Sequence, residues 1–292
     1  HSYSSAASDV YKRQYMLFFT QKGKCFWMRV YEIPEGSKNS KGRAIQNLIS
    51  IEQDDKVKAF ICTQDLKDDD YINNHYVIMA TKMGQVKKTS LEQYSRPRSN
   101  GINAITIKDG DELLEAKLTN GNSQIMLAVK SGKAIRFEES KTRPMGRNAS
   151  GVRGIRLKDN EDEVVGMISV NDMDANILVV SENGYGKRSS LEDYRLTNRG
   201  GKGVKTISIT TKTGQLVSLK SVTDSDDLMI INKSGIAIRM QVADLRVMGR
   251  ATQGVKVISI KDGDGIAAVA KVMNDEEEIE DCLLYTSDAA DE

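Results

Sequence analysis

Cysteine, histidine and proline are all scarce: of 292 residues three are Cys, two are His and three are Pro. Cys25, Cys62 and Cys282 stand far apart with no paired spacing, which excludes a disulfide-stapled scaffold and a cysteine-ligated zinc site. His1 and His75 are too few for a histidine-rich metal centre. No stretch approaches the ~18 consecutive apolar residues of a membrane-spanning helix, and residues 1–14 lack the apolar core of a secretory signal. Nor does any segment keep a helical period beyond a turn or two. Glycine, by contrast, is plentiful at 23 residues and must make most of the turns. With 39% hydrophobic residues and a mean hydropathy of −0.44, the chain has the composition of a soluble globular protein.

Charge of one sign is also missing from the totals, 42 Lys and Arg against 41 Asp and Glu, but the balance hides a segregation. Residues 273–292 hold nine acids and no base, and residues 1–14 hold two bases and one acid. Residues 15–272 therefore carry 40 bases and 31 acids, a net of +9. A basic body beside an acidic tail suits a polyanionic partner, with a tail able to compete for the same surface. A solvated charged surface with a disordered end fits the charge alone equally well. The two ends, residues 1–14 and 282–292, share no pattern with the interior and resemble adapter sequence read as coding. They are set aside from the fold, and residues 274–281 are expected to keep part of a natural acidic tail.

The organising feature is an internal repeat. An apolar run enters a turn glycine and leaves through a short strand ending in a base, at residues 15–29 (YMLFFTQKGKCFWMR), 76–88, 125–136, 177–188 and 228–239. The turn glycines Gly23, Gly84, Gly132, Gly184 and Gly235 are spaced by 61, 48, 52 and 51. Each is followed by a second glycine, Gly42, Gly101, Gly151, Gly203 or Gly254, at offsets of 19, 17, 19, 19 and 19. Beyond the second glycine comes a further strand pair, as at 102–107 with 112–119, 204–209 with 215–222 and 255–260 with 266–272. Each unit thus holds about four strands rich in β-branched and aliphatic residues, separated by Gly, Asn and Asp turns. A four-stranded unit of this size is one propeller-like blade, which needs neighbours to bury its faces. A β-sandwich array is the alternative. The predicted fold is all-β, with repeats at about 15–70, 71–122, 123–174, 175–225 and 226–273.

Bases recur in step with the repeat. Lys88, Arg136, Arg188 and Arg239 each follow their turn glycine by four residues, whereas the first repeat has Trp27 there and Arg29 two positions later. Lys87 and Lys187 precede two of them, and Arg143 and Arg246 open the related strings RPMGR and RVMGR. Loops around the second glycine add Lys41, Arg43, Arg96, Arg98, Arg147, Arg153, Arg199, Lys202, Lys205, Arg250 and Lys256. Glycine beside a base lets backbone approach a phosphate while the cation neutralises it. Residues that read base edges are scarce at these positions, so the expected partner is double-stranded DNA, bound through phosphates without sequence preference. Ordinary blade-edge charge that resists aggregation is the competing reading.

Other candidates dissolve on inspection. Tyr94 and Tyr194 sit in a repeated LExY string that reads as turn packing rather than nucleophile. Gly200-Gly201-Lys202-Gly203 lacks the Walker spacing and its flanking strand and helix. Asp109 with Asp111, and Asp262 with Asp264, belong to Asp-Gly-Asp turns. Trp27 and the scattered Met residues read as core filling. No constellation for catalysis is found.

The strings GYGKR (184–188), RPMGRNASGVRGIRL (143–157), VMGRATQGV (247–255) and MATKMGQVKKTSL (79–91) make the span 15–272 resemble the C-terminal domain family of DNA gyrase A subunits. The resemblance implies a six-bladed β-pinwheel whose blades exchange a strand, five of them visible here. It implies wrapping of DNA on a basic outer rim, with ATP and Mg belonging to other parts of an A2B2 holoenzyme that includes gyrase B. It further implies a cytoplasmic, chromosome-associated setting, no membrane, and no cofactor or catalytic residue of its own in this segment. The family's hallmark box is matched only by its last five positions, in Thr197-Asn198-Arg199-Gly200-Gly201-Lys202-Gly203 of the fourth visible repeat. A blade carrying the full box is therefore expected upstream of residue 15. The related topoisomerase IV domain and a kelch- or WD-type protein-binding scaffold are the alternatives. The basic, glycine-rich loops speak against the scaffold.

Overall fold

The computed structural model describes residues 13–272 apart from 35, 37–40 and 262; the expected foreign ends and acidic tail lie almost wholly outside them. Each repeat opens with a hairpin turned on a positive-φ glycine. The hairpins are β1 (Gln14–Thr20) with β2 (Lys24–Arg29), β4 (Tyr76–Thr81) with β5 (Gln85–Ser90), β8 (Gln124–Val129) with β9 (Lys133–Glu138), β12 (Asn176–Ser181) with β13 (Tyr185–Ser190), and β16 (Asp227–Asn232) with β17 (Ala237–Gln241). A later strand of the same repeat pairs antiparallel with the first hairpin strand. These are β3 (Val57–Asp65), β7 (Leu113–Thr119), β11 (Val164–Val170), β15 (Leu216–Val222) and β19 (Ile266–Val272). The register shifts just before the hairpin turn in several of these pairs, as between Phe19 and Thr20 or Val180 and Ser181, and such bulges raise the local twist.

The fourth strand is borrowed. Two-residue strands β6 (Ile102–Asn103), β10 (Val152–Arg153), β14 (Val204–Lys205) and β18 (Val255–Lys256) each pair with the second hairpin strand of the preceding repeat. Four sheets therefore have four strands, and the fifth, β17-β16-β19, has three among the described residues. The expected long strands at 102–107, 204–209 and 255–260 shrink to these two-residue pairings and belong to the neighbouring blade.

Strand exchange explains why two glycines recur together. The residues after the second glycines of the later repeats dock on the turn glycine of the previous one: Ala104 and Ile105 donate to the Gly23 carbonyl, Gly154 to that of Gly84, Thr206 and Ile207 to that of Gly132, Val257 and Ile258 to that of Gly184. A Cβ at Gly23 would overlap the Ile105 carbonyl oxygen, and one at Gly203 would lie 2.5 Å from that of Ala134. Both glycines are thus points where backbone meets backbone.

The chain forms two compact units, one of residues up to Ser123 with Glu138–Gly154, the other of Gln124–Phe137 with residues from Ile155 on. In the first, Leu17, Phe19, Val77, Met79 and Tyr94 share one core cluster, and Phe18, Phe26, Met28 and Ile49 form a second. In the second, one cluster gathers Met126, Ile168, Ile177 and Val179, and another gathers Leu178, Leu228, Ile230 and Val269. The first hairpin strands are buried on both faces, as the patterns of β4 and β8 show, while β3 alternates. The α-helix Asp69–Asn74 is capped by Asp68, whose carboxylate accepts from the amides of Asp70 and Tyr71. Among the described residues no helix is long and apolar enough to cross a membrane.

Candidate nucleic-acid interface

The bases that recur four residues after the turn glycine do not form an exposed row. Lys87 and Lys187 are fully buried, and Lys88, Arg136 and Arg188 nearly so. Their polar ends hold the segment that connects the next repeat's hairpin to its exchanged strand. Lys87 Nζ donates to the carbonyls of Ala104 and Arg147, each at 2.5 Å. Lys187 Nζ donates to the Gly249 carbonyl at 2.6 Å and to Thr252 Oγ1 at 3.0 Å. Lys88 pairs with buried Glu139 at 2.8 Å. Arg136 donates through Nη1 to the carbonyls of Leu191 and Tyr194, at 2.9 and 3.0 Å, and through Nε to Gln124 at 2.7 Å. Arg188 donates to the Leu245 carbonyl at 2.5 Å and pairs with Asp224.

These five assignments as exposed phosphate contacts are therefore corrected: the side chains are internal donors that clamp the connectors. The reason is visible in the first repeat. Trp27, at the same offset, donates its indole N–H to the Tyr94 carbonyl at 3.0 Å, the position that Tyr194 and Leu245 occupy opposite Arg136 and Arg188. Trp27 is half-buried and does the same work as the arginines, so it is more than core filling. A neutral donor serves because the task is to satisfy a carbonyl, and charge is incidental to it. Backbone bonds complete each clamp, from Met145 N to the Lys88 carbonyl, Thr197 N to that of Arg136 and Met248 N to that of Arg188. Arg239, on the unpaired edge of the three-stranded sheet, is exposed and pairs with Asp227 at 2.7 Å.

The LExY strings are capped 3-10 turns. Ser90 and Ser190 accept from the amides of Glu92 and Glu192, which drives Tyr94 and Tyr194 inward, where both are buried. Tyr94 stacks edge-on against Phe19 at 5.7 Å. Burial pushes both phenols up, as befits packing rather than nucleophilic residues.

Burial also lowers the ammonium of Lys87 to about 7, with Arg147 adding to the effect, and that of Lys187 to about 8. An unfolded lysine titrates near about 10.4. Above pH 7 the unfolded chain then binds more protons than the folded one, so unfolding free energy rises with pH until the unfolded lysines lose their protons. Thermal midpoints are expected to climb between pH 7 and 9, and Lys87→Met to flatten that climb. Identical pH profiles for both proteins would contradict the assignment.

The connectors carry the cations that remain outside. Arg96, Arg98, Arg143, Arg153, Lys202, Lys205, Arg246 and Lys256 are exposed, and Arg147, Arg199 and Arg250 partly so. Among the described residues Arg96, Arg98, Arg143, Lys202, Arg246 and Lys256 form no ion pair, while many bases elsewhere are matched to acids, as Lys22 is to Glu52 and Asp54. Arg250 reaches the carbonyl of Lys205 on the exchanged strand at 2.8 Å. Lys41 and Arg43 are exposed in an extended stretch of the first repeat. Arg29 is exposed, lying 5.6 and 5.7 Å from the ring centres of Tyr15 and Tyr31. In the Thr197–Gly203 string, Thr197 Oγ1 donates to the Arg136 carbonyl, and Gly200 and Gly203 have positive φ. Arg195, beside it, belongs with the connector cations, and no repeat signal marks it because it follows the LExY string rather than a glycine.

Antiparallel blades that lend a strand to their neighbour place the protein in the β-propeller and pinwheel class of all-β domains. The family model described as "DNA gyrase C-terminal domain, beta-propeller" matches residues 14–64, 75–120, 124–171, 175–223 and 226–273, and the chain belongs to that family. The DNA gyrase A protein of Staphylococcus aureus (strain NCTC 8325 / PS 47) is 44% identical over 266 residues, which is 90% of this chain. The chain spans 29% of the length of that relative. Among solved structures, the C-terminal domain of a DNA topoisomerase IV is similar at a TM-score of 0.84 and 25% identity, covering 94% of this chain and 85% of that one. A DNA gyrase A C-terminal domain is similar at 0.75 and 24%, covering 90% and 83%.

Proposed function

We propose that this domain binds and wraps double-stranded DNA, without sequence preference, on the cations of its connectors. It does so as the C-terminal part of a gyrase A protein, in an ATP-driven type II topoisomerase with gyrase B that introduces negative supercoils in the bacterial cytoplasm, on the chromosome. One observation carries this reading: connector after connector exposes bases, Arg96, Arg98, Arg143, Lys202, Arg246 and Lys256, that form no ion pair among the described residues, while the buried hairpin bases Lys87, Lys88, Arg136, Lys187 and Arg188 hold connectors in place. A phosphate backbone is the partner that such fixed, unmatched cations suit. The 44% identity to a gyrase A protein favours gyrase. Topoisomerase IV is the second reading, favoured by the 0.84 TM-score to its domain.

Each neutralised phosphate contributes about −0.9 to the slope of log K against log salt. Replacing Arg96, Arg98, Arg143 and Arg246 together with Gln is expected to make the slope shallower by up to about 3.6 on that scale. Relative affinities for different sequences should not change, because phosphate contacts carry no base information. Fluorescence anisotropy of labelled duplex across a salt series measures both, and an unchanged slope rejects the connectors as the contact surface.

A further inference from the structure

Four hairpin bases share one offset, and three of them have a carboxylate: Lys88 has Glu139, Arg188 has Asp224 and Arg239 has Asp227. Arg136 has none among the described residues. Its partners are the Gln124 side-chain oxygen and two backbone carbonyls, all neutral, although it is only 8% exposed. A buried guanidinium without a counter-ion leaves its charge unbalanced in a poorly screened place.

Beside it lies a cavity of about 170 Å³, walled by β9 and the connector that carries Arg195, Asn198 and Lys202. That volume holds several waters rather than one, given about 30 Å³ for each in the liquid. Its lining contains three cations, the Thr197 hydroxyl, the Asn198 amide and glycine backbone, and not one acid. Among the described residues the side chains of Arg195, Asn198 and Lys202 make no hydrogen bond or ion pair. The connector can lie this close to the hairpin because Gly203, at φ 69°, has no Cβ to strike the Ala134 carbonyl.

We infer that this cavity is an oxyanion site for a phosphate group, with Arg136 as its buried charge and Arg195, Lys202 and Asn198 as the groups that reach the ligand. The oxyanion is supplied either by the DNA backbone or by free phosphate. The first source rests on the DNA-binding reading above, and the second does not. Two roles divide the residues. Arg136 stays committed to its carbonyls and supplies field, whereas Arg195 and Lys202, free at their ends, supply direct bonds.

The test compares the full chain with Arg195→Gln/Lys202→Gln, two exposed changes that leave the clamp of Arg136 intact. Inorganic phosphate is titrated against chloride at matched ionic strength while the thermal midpoint is followed, since a ligand of the folded state raises it. The salt dependence of duplex binding is measured on both proteins. A phosphate-specific rise in the parent chain, lost in the variant, supports the site with free anion as ligand. A slope shallower by about 0.9–1.8 in the variant supports it with the backbone as ligand, equivalent to about 3- to 12-fold less loss of affinity across a fourfold salt change. Parent and variant alike in both measurements overturn the inference while leaving DNA binding by the domain standing. A parent that responds to phosphate but binds no duplex would instead remove the DNA reading and keep the site.

Discussion

Gly254→Ala is expected to destabilise the protein by about 3 kcal/mol and to release β18 from β13, whereas Gly42→Ala should cost about 1–2 kcal/mol. Both glycines are the second of their repeat and both have positive φ, 83° and 67°. The conformational penalty for an L-residue is therefore common to the pair. What differs is space. A Cβ at Gly254 would lie 2.6 Å from the Gly186 carbonyl oxygen, backbone that cannot swing aside, while among the described residues nothing lies within 4 Å at Gly42. The excess over Gly42→Ala thus isolates the close approach on which strand exchange depends. Hydrogen exchange locates it, because the amides of Val257 and Ile258 donate to Gly184 and should lose protection first. Equal losses at the two positions would show that the turn conformation, and not the docking, is what requires glycine.

The glycine pairs and the blade count are legible in the chain because both depend on local chemistry. A positive φ needs glycine wherever it occurs, and the hairpins announce themselves by apolar runs on either side of it. Ownership of the fourth strand is not legible. The two residues of β6, β10, β14 or β18 look the same whether they pair within their own repeat or with the previous one, since periodicity reports burial and says nothing of the hydrogen-bonding partner. The same limit misplaces the repeated bases. Position and charge both recur at Lys88, Arg136 and Arg188, and a recurring cation reads as a surface until its burial is known. Two signals pointed the other way. Lys87-Lys88 and Lys187-Arg188 are adjacent in strands, where neighbours face opposite sides, so no single outer face could show both. Trp27 at the same offset had the N–H but not the charge. The connector cations, by contrast, are exposed, and Arg96 and Arg98 stand among Ser, Pro and Asn with no apolar period to turn them inward.

Arg136→Ala should be the most damaging single change at a base, costing about 3–5 kcal/mol, while Arg239→Ala at the same repeat offset, which strands one acceptor instead of three, should cost about 1–2 kcal/mol. Removing the Arg136 side chain strips the carbonyls of Leu191 and Tyr194 and the Gln124 oxygen of their donor at once, and each orphaned buried acceptor costs about 1–3 kcal/mol. Arg239 is 54% exposed at its side chain, bonds only the largely buried Asp227 carboxylate, and no connector rests on it among the described residues. Arg136→Lys should recover part of the loss, because an ammonium reaches one carbonyl but cannot span three acceptors with the planar fork. Protection of the Thr197 amide, which donates to the Arg136 carbonyl, reports the clamp directly and separates its loss from general unfolding. If Arg136→Ala and Arg239→Ala prove equally mild and Thr197 stays protected, the hairpin bases are not clamps, and the division between buried bases that hold connectors and exposed bases that meet phosphate fails with them.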